Sequence, residues 1–363
     1  MMLDASNYAF LGTAAVAETP NFTCEGMPAL AKWSFVTRNV PPEAVSHIEF
    51  RHEHVPSSGD LVLAAVQKIA QHTRIQLRSG RRSLLYPGDL VVVAYGNRYA
   101  PDAFEAVVPE DLDQCHLVAA GGIAATARSK SAGLKWPTSI QPEGYCIGPD
   151  GRVVNLRDHG LEMPDGPVHP KKPVVAVLGT SMNAGKTTTV ASLIRGLTLA
   201  GHRVAGIKAT GTGAGNDVWA YSDAGAARVL DFTDAGYSST FRLPIDDIVN
   251  GFDRLIATAQ HDPNVDLIVV EIADGLLQKE TARLVASDSF GHQVDHVLFA
   301  AGEAMGALAG VKRLARLGIQ TTALTGRLTA SRLACREARR ATRLPILTKA
   351  KLEAPRVATL IGS

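Results

Sequence analysis

The segment Pro173-Val174-Val175-Ala176-Val177-Leu178-Gly179-Thr180-Ser181-Met182-Asn183-Ala184-Gly185-Lys186-Thr187-Thr188 constrains the fold more than any other part of the chain. Its first half is apolar without alternation, as in a parallel strand buried on both faces. After Lys186, apolar residues recur at Val190, Leu193, Ile194 and Leu197, which is helical spacing. Gly201 stands where that helix should stop. A strand, a small-residue loop and a helix in that order make a phosphate-binding loop. Its N–H groups and the positive end of the helix dipole face the anion. Gly179, Thr180, Ser181, Met182, Asn183, Ala184, Gly185, Lys186, Thr187 and Thr188 are the candidate cofactor contacts. Lys186 would reach the β- and γ-phosphates, and the Thr187 hydroxyl would hold Mg²⁺. The pattern G-x-x-x-x-G-K-[ST] sets its first glycine where this chain has Thr180; the glycine sits one residue earlier, at Gly179. An ordinary strand-to-helix turn would leave only a surface lysine here. The strand and helix contexts together favour the phosphate loop.

With 363 residues the chain can form two domains, each with its own core. The formal net charge of +2 excludes a chain that binds polyanions over its whole surface. Basic residues do gather between Lys312 and Arg356. A solvated helix face is the plain reading of that run, and a surface near phosphates or an acidic partner is the other. No nucleic-acid-binding module accompanies it, so nucleic acid is not an expected partner. Cys24, Cys115, Cys146 and Cys335 are far apart and have no metal-ligand spacing, which suits a reducing compartment. The start Met1-Met2-Leu3-Asp4 lacks a basic region, and the apolar stretch from Ala9 to Ala17 is short, so no signal peptide is read. No apolar run approaches the length of a membrane span. A cytoplasmic protein is expected.

Composition shifts near residues 158–172, where Pro and Gly are frequent and periodicity is lost. The expected organisation is a mainly-β domain over 1–157, a linker over 158–172 and an α/β domain over 173–363. Before the linker, Thr73–Arg78 alternates apolar and polar residues, Ser79-Gly80-Arg81-Arg82 offers a turn, and Leu90–Tyr95 is a continuous apolar run. Gly148–Gly151 separates a further pair of short strands ending in Val153–Leu156. Such strands predict a small barrel or sandwich. After the linker, strands are predicted at Arg203–Ile207, Asp266–Ile272, Asp295–Ala301 and Ile319–Leu324. Helices lie between them, for example Ala304–Leu317 and Ser331–Thr342. That alternation predicts a mostly parallel sheet covered on both faces, with its ligand at the carboxyl ends of the strands.

The strand-end rule selects the candidate chemistry. Lys208 leaves a strand for the loop Ala209-Thr210-Gly211-Thr212-Gly213-Ala214-Gly215-Asn216-Asp217, where it would stabilise phosphoryl or carboxyl charge or simply enter solvent. Glu271 ends an apolar strand, and a buried carboxylate there needs Mg²⁺ or a salt bridge. Asp217 or Asp223 would complete the metal site; the sequence does not choose between them. His52-Glu53-His54 would place two imidazoles on one face of a strand, without an evident third ligand. Asn97-Arg98-Tyr99 and Glu105 are candidate substrate contacts from the β domain.

Gly179-Thr180 and Gly185-Lys186-Thr187 together resemble the phosphate loop of the dethiobiotin synthetase-like P-loop family, glycine displacement included. Lys208, Ser222-Asp223-Ala224 and Glu271 look like that family's substrate lysine and metal-binding acids. The resemblance implies a step that uses ATP and Mg²⁺ to phosphorylate a carboxylate or carbamate for attack by an amine. The glycine-rich loop after the family's glutamate is replaced here by Ile272-Ala273-Asp274-Gly275. Gly206-Ile207-Lys208, Asn216-Asp217 and Asp223–Ala226 are similar to the accessory protein B of molybdopterin-guanine dinucleotide synthesis, which would make Asp217 the acid. Gly179-Thr180, Gly185-Lys186, Ala209-Thr210-Gly211 and Asp231-Phe232 resemble a P-loop family that includes a D-glutamate N-acetyltransferase. There the loop would hold acetyl-CoA.

The resulting expectation is an ATP- and Mg²⁺-dependent enzyme acting on a small molecule, with Lys186, Lys208 and Glu271 as catalytic groups. Thr187, Asp217, Asp223 and Glu271 are the candidate metal ligands. An acyl-CoA-dependent N-acyltransferase and a nucleotide-binding accessory protein are the alternatives. A homo-oligomer is expected. The β domain is expected to line the substrate site, and residues 170–363 alone to bind nucleotide without turnover.

Overall fold

The computed structural model describes residues 30–167 and 170–361, with only the backbone at residue 361. Cys24 and the N-terminal stretches read for a signal peptide lie outside the described residues.

The β-rich half is built on a closed ring of five strands. Leu90–Tyr95 pairs with Leu61–Lys68, which pairs with Thr138–Ile147, then Cys115–Ala119, then Ile123–Lys130. Ile123–Lys130 returns to Leu90–Tyr95 in a short parallel contact, Ile123 opposite Ala94 and Ala124 opposite Tyr95. Closure removes the exposed edges of an open sheet. It also explains the continuous apolar runs. Leu61, Leu63, Val92 and Ala94 join one apolar cluster, while Val62, Ala64, Val91 and Val93 join another. Successive side chains point to opposite faces, and both faces are covered.

The hairpin expected around Gly80 is present: Arg74–Gln76 pairs antiparallel with Arg82–Leu84. Gly80 turns there at φ +87°. Val153–Leu156 is not a strand. It makes two isolated bridges, Val153 to Ile147 and Asn155 to Asp60, then a short 3-10 turn, Leu156–His159, capped by Asn155. Residues His52 and Glu53 form a turn, so the two imidazoles share no strand face.

The second half is a six-stranded parallel sheet. Its order is Arg228–Asp231, Val204–Lys208, Leu267–Glu271, Val174–Gly179, His296–Ala300 and Ala323–Thr325. Helix Lys186–Leu199 buries Val190, Leu193, Ile194 and Leu197, as their spacing predicts, and Gly201 follows its end at φ +95°. Helices Ile245–His261 and Ala304–Arg316 cover the other face. Two elements differ from expectation. The predicted strand Ile319–Leu324 is reduced to Ala323–Thr325, because its first residues lead out of the helix Ala304–Arg316. The edge strand Arg228–Asp231 carries too little apolar sequence to announce itself.

The basic residues from Lys312 to Arg356 lie on exposed positions, and Arg327 among them stands next to Gly185 of the phosphate loop. Among the described residues no helix is long and apolar enough to cross a membrane.

The two sheets meet along a polar seam. Arg38 pairs with Asp231 at 3.1 Å and Asp234 at 2.6 Å, and donates to Thr233. The Ser238 hydroxyl donates to the Tyr95 carbonyl at 2.7 Å, and the Gly215 N–H to Gln76 Oε1 at 2.8 Å. Gly121 lies so close to Gly213 that an added Cβ would sit 2.2 Å from its carbonyl oxygen. The segment expected as a linker is irregular but fastened: the Leu161 N–H donates to the Asp234 carbonyl, and Arg254 donates to the Leu161 carbonyl.

Candidate functional site

Register assembles the site. Lys208 lies opposite Glu271 on the neighbouring strand, and Glu271 lies opposite Val177, two residues before Gly179. Three strand ends therefore open onto one cavity of 650 Å³. The parallel-sheet rule places ligands at this edge.

The phosphate loop forms its floor. Gly185 precedes the helix at φ +100°, and a Cβ there would lie 3.1 Å from Gly326 Cα. Asn183 also adopts a left-handed conformation, at φ +60°. The displaced glycine has a physical role: a Cβ on Gly179 would press on the Lys186 stem at 3.0 Å. Lys186 is buried and donates to the carbonyls of Ser181 at 2.8 Å and Asp274 at 2.6 Å. Burial pushes its pKa down, against the pull of Glu271 and Asp274. An anionic ligand would stabilise this desolvated ammonium.

Met182, Asn183, Gly185, Lys186, Thr187 and Thr188 line the cavity. Gly179, Thr180, Ser181 and Ala184 stand behind that surface and are not among its lining residues. The Thr180 N–H donates to the Ala300 carbonyl and the Ala184 N–H to that of Ser181. Those amides shape the loop and are engaged within it.

Glu271 is almost wholly buried, and its hydrogen-bond partners are hydroxyls instead of a lysine or arginine. Thr187 donates to Oε1 at 3.3 Å, and the buried Tyr221 phenol donates to Oε2. Burial and the adjacent carboxylate hold the Tyr221 pKa well above its ordinary value, so the phenol remains a donor. Asp217 pairs with Lys208 at the cavity wall. Asp217 and Tyr221 stand one turn apart on helix Asn216–Asp223, so one face serves both contacts. Asp223 is six residues from Asp217, about 240° around the helix. It is exposed and outside the cavity, which corrects its reading as a metal ligand.

Among the described residues no group of three or more His, Cys, Asp or Glu side chains is placed to hold a metal. Mg²⁺ beside phosphates needs less, because phosphate and water oxygens fill most positions. The adjacent oxygens of Thr187 and Glu271 fit such a share of the shell. His54 instead bonds Asp60 at 2.8 Å.

Two contributions were not read from sequence. Tyr221 carries no motif signal; only its i+4 spacing from Asp217 marks it. Asp274 lines the cavity at φ +61°, and burial raises its carboxyl to about 6 despite Lys186 and Lys208 nearby. Its ionisation therefore costs folded-state stability, and the loss develops as pH rises from near the ordinary 3.8 through about 6. Asp274→Asn is expected to be the more stable protein at pH 8, by up to ~3 kcal/mol, and level with the parent at pH 4. Asparagine tolerates the left-handed backbone. Thermal melts at both pH values check this, and an equal gap at both would refute it.

The β-rich half completes the wall. Arg98, Tyr99 and Ala100 line the cavity, and the Asn183 side chain donates to Asp102 Oδ2 at 2.6 Å. Glu105 lies outside it and lines an adjoining cavity with Phe241. Asn97 accepts from the Val108 N–H and does not reach the ligand space.

The profile of the family "MobB: Molybdopterin guanine dinucleotide synthesis protein B" matches residues 174–287. Residues 174–287 form a phosphate-loop α/β region similar to that family. That match spans 114 of 363 residues, from the first parallel strand past Glu271. No curated protein matches the chain. Among solved structures, the signal recognition particle receptor FtsY from Elizabethkingia anophelis has 17% identity and a TM-score of 0.34. The alignment covers 51% of this chain and 60% of that one, so the chain spans about three fifths of that relative. The GDP complex of the same receptor has 16% identity and a TM-score of 0.36, covering 57% of this chain and 68% of that one. Signal Recognition Particle 54 kDa protein from Aeropyrum pernix K1, in complex with GDP, has 20% identity and a TM-score of 0.33. There the shares are 55% of this chain and 48% of that one.

Proposed function

We propose that this chain is an enzyme that binds Mg-ATP and transfers its terminal phosphoryl group to a carboxylate or carbamate on a small molecule, for C–N bond formation. The observation that carries this reading is the convergence of Lys186, the Thr187–Glu271 oxygen pair and the Lys208–Asp217 pair on one cavity walled by both halves. The loop and Lys186 hold the phosphates. Bound Mg²⁺ would neutralise phosphate charge. Tyr221 keeps Glu271 oriented toward Thr187. Lys208 stabilises the group in transfer. The wall from the β-rich half excludes water, which a reactive phosphorylated product requires. A small-molecule substrate fits the cavity volume.

Acetyl-CoA is the weaker ligand on electrostatic grounds. Asp217 and Glu271 would repel the CoA phosphates, whereas Mg²⁺ on a triphosphate turns the same carboxylates into an advantage. The similarity of residues 174–287 to the MobB family supports a second reading, a nucleotide-binding accessory protein without its own turnover.

The test is a melting panel with Mg-ATP, Mg-GTP and acetyl-CoA, on the parent and on Glu271→Gln. Mg-ATP should stabilise the parent by about 2.7 kcal/mol at a hundredfold excess over Kd. Glu271→Gln should bind Mg-ATP at least about tenfold more weakly, because a charged oxygen is lost from the metal's reach. A shift with acetyl-CoA alone would overturn the proposal. Nucleotide binding without ADP release in any carboxylate-plus-amine mixture would favour the accessory role.

A further inference from the structure

Arg98 comes from the β-rich half yet lines the cavity beside Lys186 and Lys208. Its Nε and Nη1 are buried without a hydrogen-bond partner. Such a guanidinium is costly to bury. Its guanidinium carbon lies over the Phe104 ring, 5.5 Å from the centroid, an orienting contact in which the ring accepts no N–H hydrogen bond. Burial holds its pKa down to about 10, with only Asp102 opposing. His72, also nearby, offers no countercharge: burial first and Arg98 second push its pKa down to about 4, leaving it neutral. Asp102, four residues along, accepts from Asn183 of the phosphate loop, which fixes this segment against that loop.

We propose that Arg98 is a phosphate-contacting residue, supplied within the same chain by the β-rich half, that binds the terminal phosphoryl group of the nucleotide. This rests on the nucleotide reading above. The guanidinium is a planar fork that matches phosphate oxygens. Nε and Nη1 have no free surface, so the contact falls to the part of the side chain that lines the cavity. The loop amides would hold the inner phosphates and Lys186 the β- and γ-phosphates, which leaves the outer oxygens of the γ-phosphoryl group for a cation supplied by the β-rich half. An anion there would also discharge the cost of burying the cation. The β-rich half thus acts as part of the nucleotide site and not only as its cover.

The experiment measures Kd for Mg-ATP and Mg-ADP, and the ligand-free melting temperature, in the parent and in Arg98→Met. Methionine keeps an unbranched apolar side chain in the same space and removes the guanidinium that lies over Phe104. Mg-ATP binding should weaken by about tenfold or more, and Mg-ADP binding by less than about threefold. The ligand-free melting temperature should hold or rise, since the lost cation has no hydrogen-bond partner at Nε or Nη1. If Arg98→Met does not fold, the same ratio is read in Arg98→Lys, which keeps the charge and loses the fork. Equal losses for both nucleotides, or no loss, overturn the assignment. So does a lower melting temperature with an unchanged ATP-to-ADP ratio, the mark of a purely structural arginine. A parent that binds neither nucleotide overturns the nucleotide reading first, and this assignment with it.

Discussion

Lys186→Ala is expected to abolish stabilisation by Mg-nucleotide while leaving a folded protein. The side chain is buried but makes its contacts only to the carbonyls of Ser181 and Asp274 and packs beneath the loop at Gly179. Alanine removes a desolvated ammonium, so the ligand-free protein loses little. The ligand loses a charge-assisted contact in a site shielded from water, which is worth far more than one at the surface. At a ligand concentration that stabilises the parent by about 2.7 kcal/mol, the variant should show no resolvable shift. Calorimetric titration should agree, with affinity lower by at least about a hundredfold. Binding equal to the parent would remove the phosphate-loop assignment, and with it the reading of Thr187 and Glu271.

The elements legible in the sequence share one property: their signals are local. The run from Val174 to Lys186 encodes strand, loop and helix within twenty residues of chain. Lys208 and Glu271 were reachable because each ends an apolar strand, and parallel register then sets them side by side. Arg98 and Tyr99 were legible as a segment, though their place in the cavity depends on how the two halves dock. Tyr221 escaped because its role depends on a partner fifty residues away. The choice between Asp217 and Asp223 needed the helix orientation, which is set by packing of Tyr221 under the sheet. Neither the amides used up inside the phosphate loop nor the turn at His52 leaves a trace in residue type. In each case, what decides the outcome is a contact between distant positions, and a pattern of neighbours carries no information about it.

The seam gives the largest expected effect on stability. Arg38 serves two acids at once, and Asp231 is 1% exposed. Burial alone would push the Arg38 pKa down, but Asp231 and Asp234 outweigh it and hold it up. Asp234 is nonetheless pushed up, by burial first and by Asp231 second, because one guanidinium cannot compensate two buried carboxylates. Arg38→Met leaves an unbranched apolar side chain and removes the guanidinium that lies over the Phe35 ring, and with it the charge. Two uncompensated acids then remain, and the expected cost is about 3–5 kcal/mol at pH 7. Asp234, already pushed up, loses the guanidinium that holds it down, so the cost should shrink as pH falls and its carboxyl protonates. Urea denaturation at pH 7 and pH 4.5 reads both effects, and adding Asp231→Asn should recover part of the loss. A loss below about 1 kcal/mol at pH 7 would rank this cluster with ordinary surface pairs. The same chemistry bears on the fragment 170–363, expected from sequence to bind nucleotide alone. That fragment carries Asp231 and Asp234 without Arg38, and exposes Gly213 where Gly121 packed. Its failure to bind would therefore report a broken seam before it reported anything about the phosphate loop. Point variants in the full chain are the measurements that separate the two.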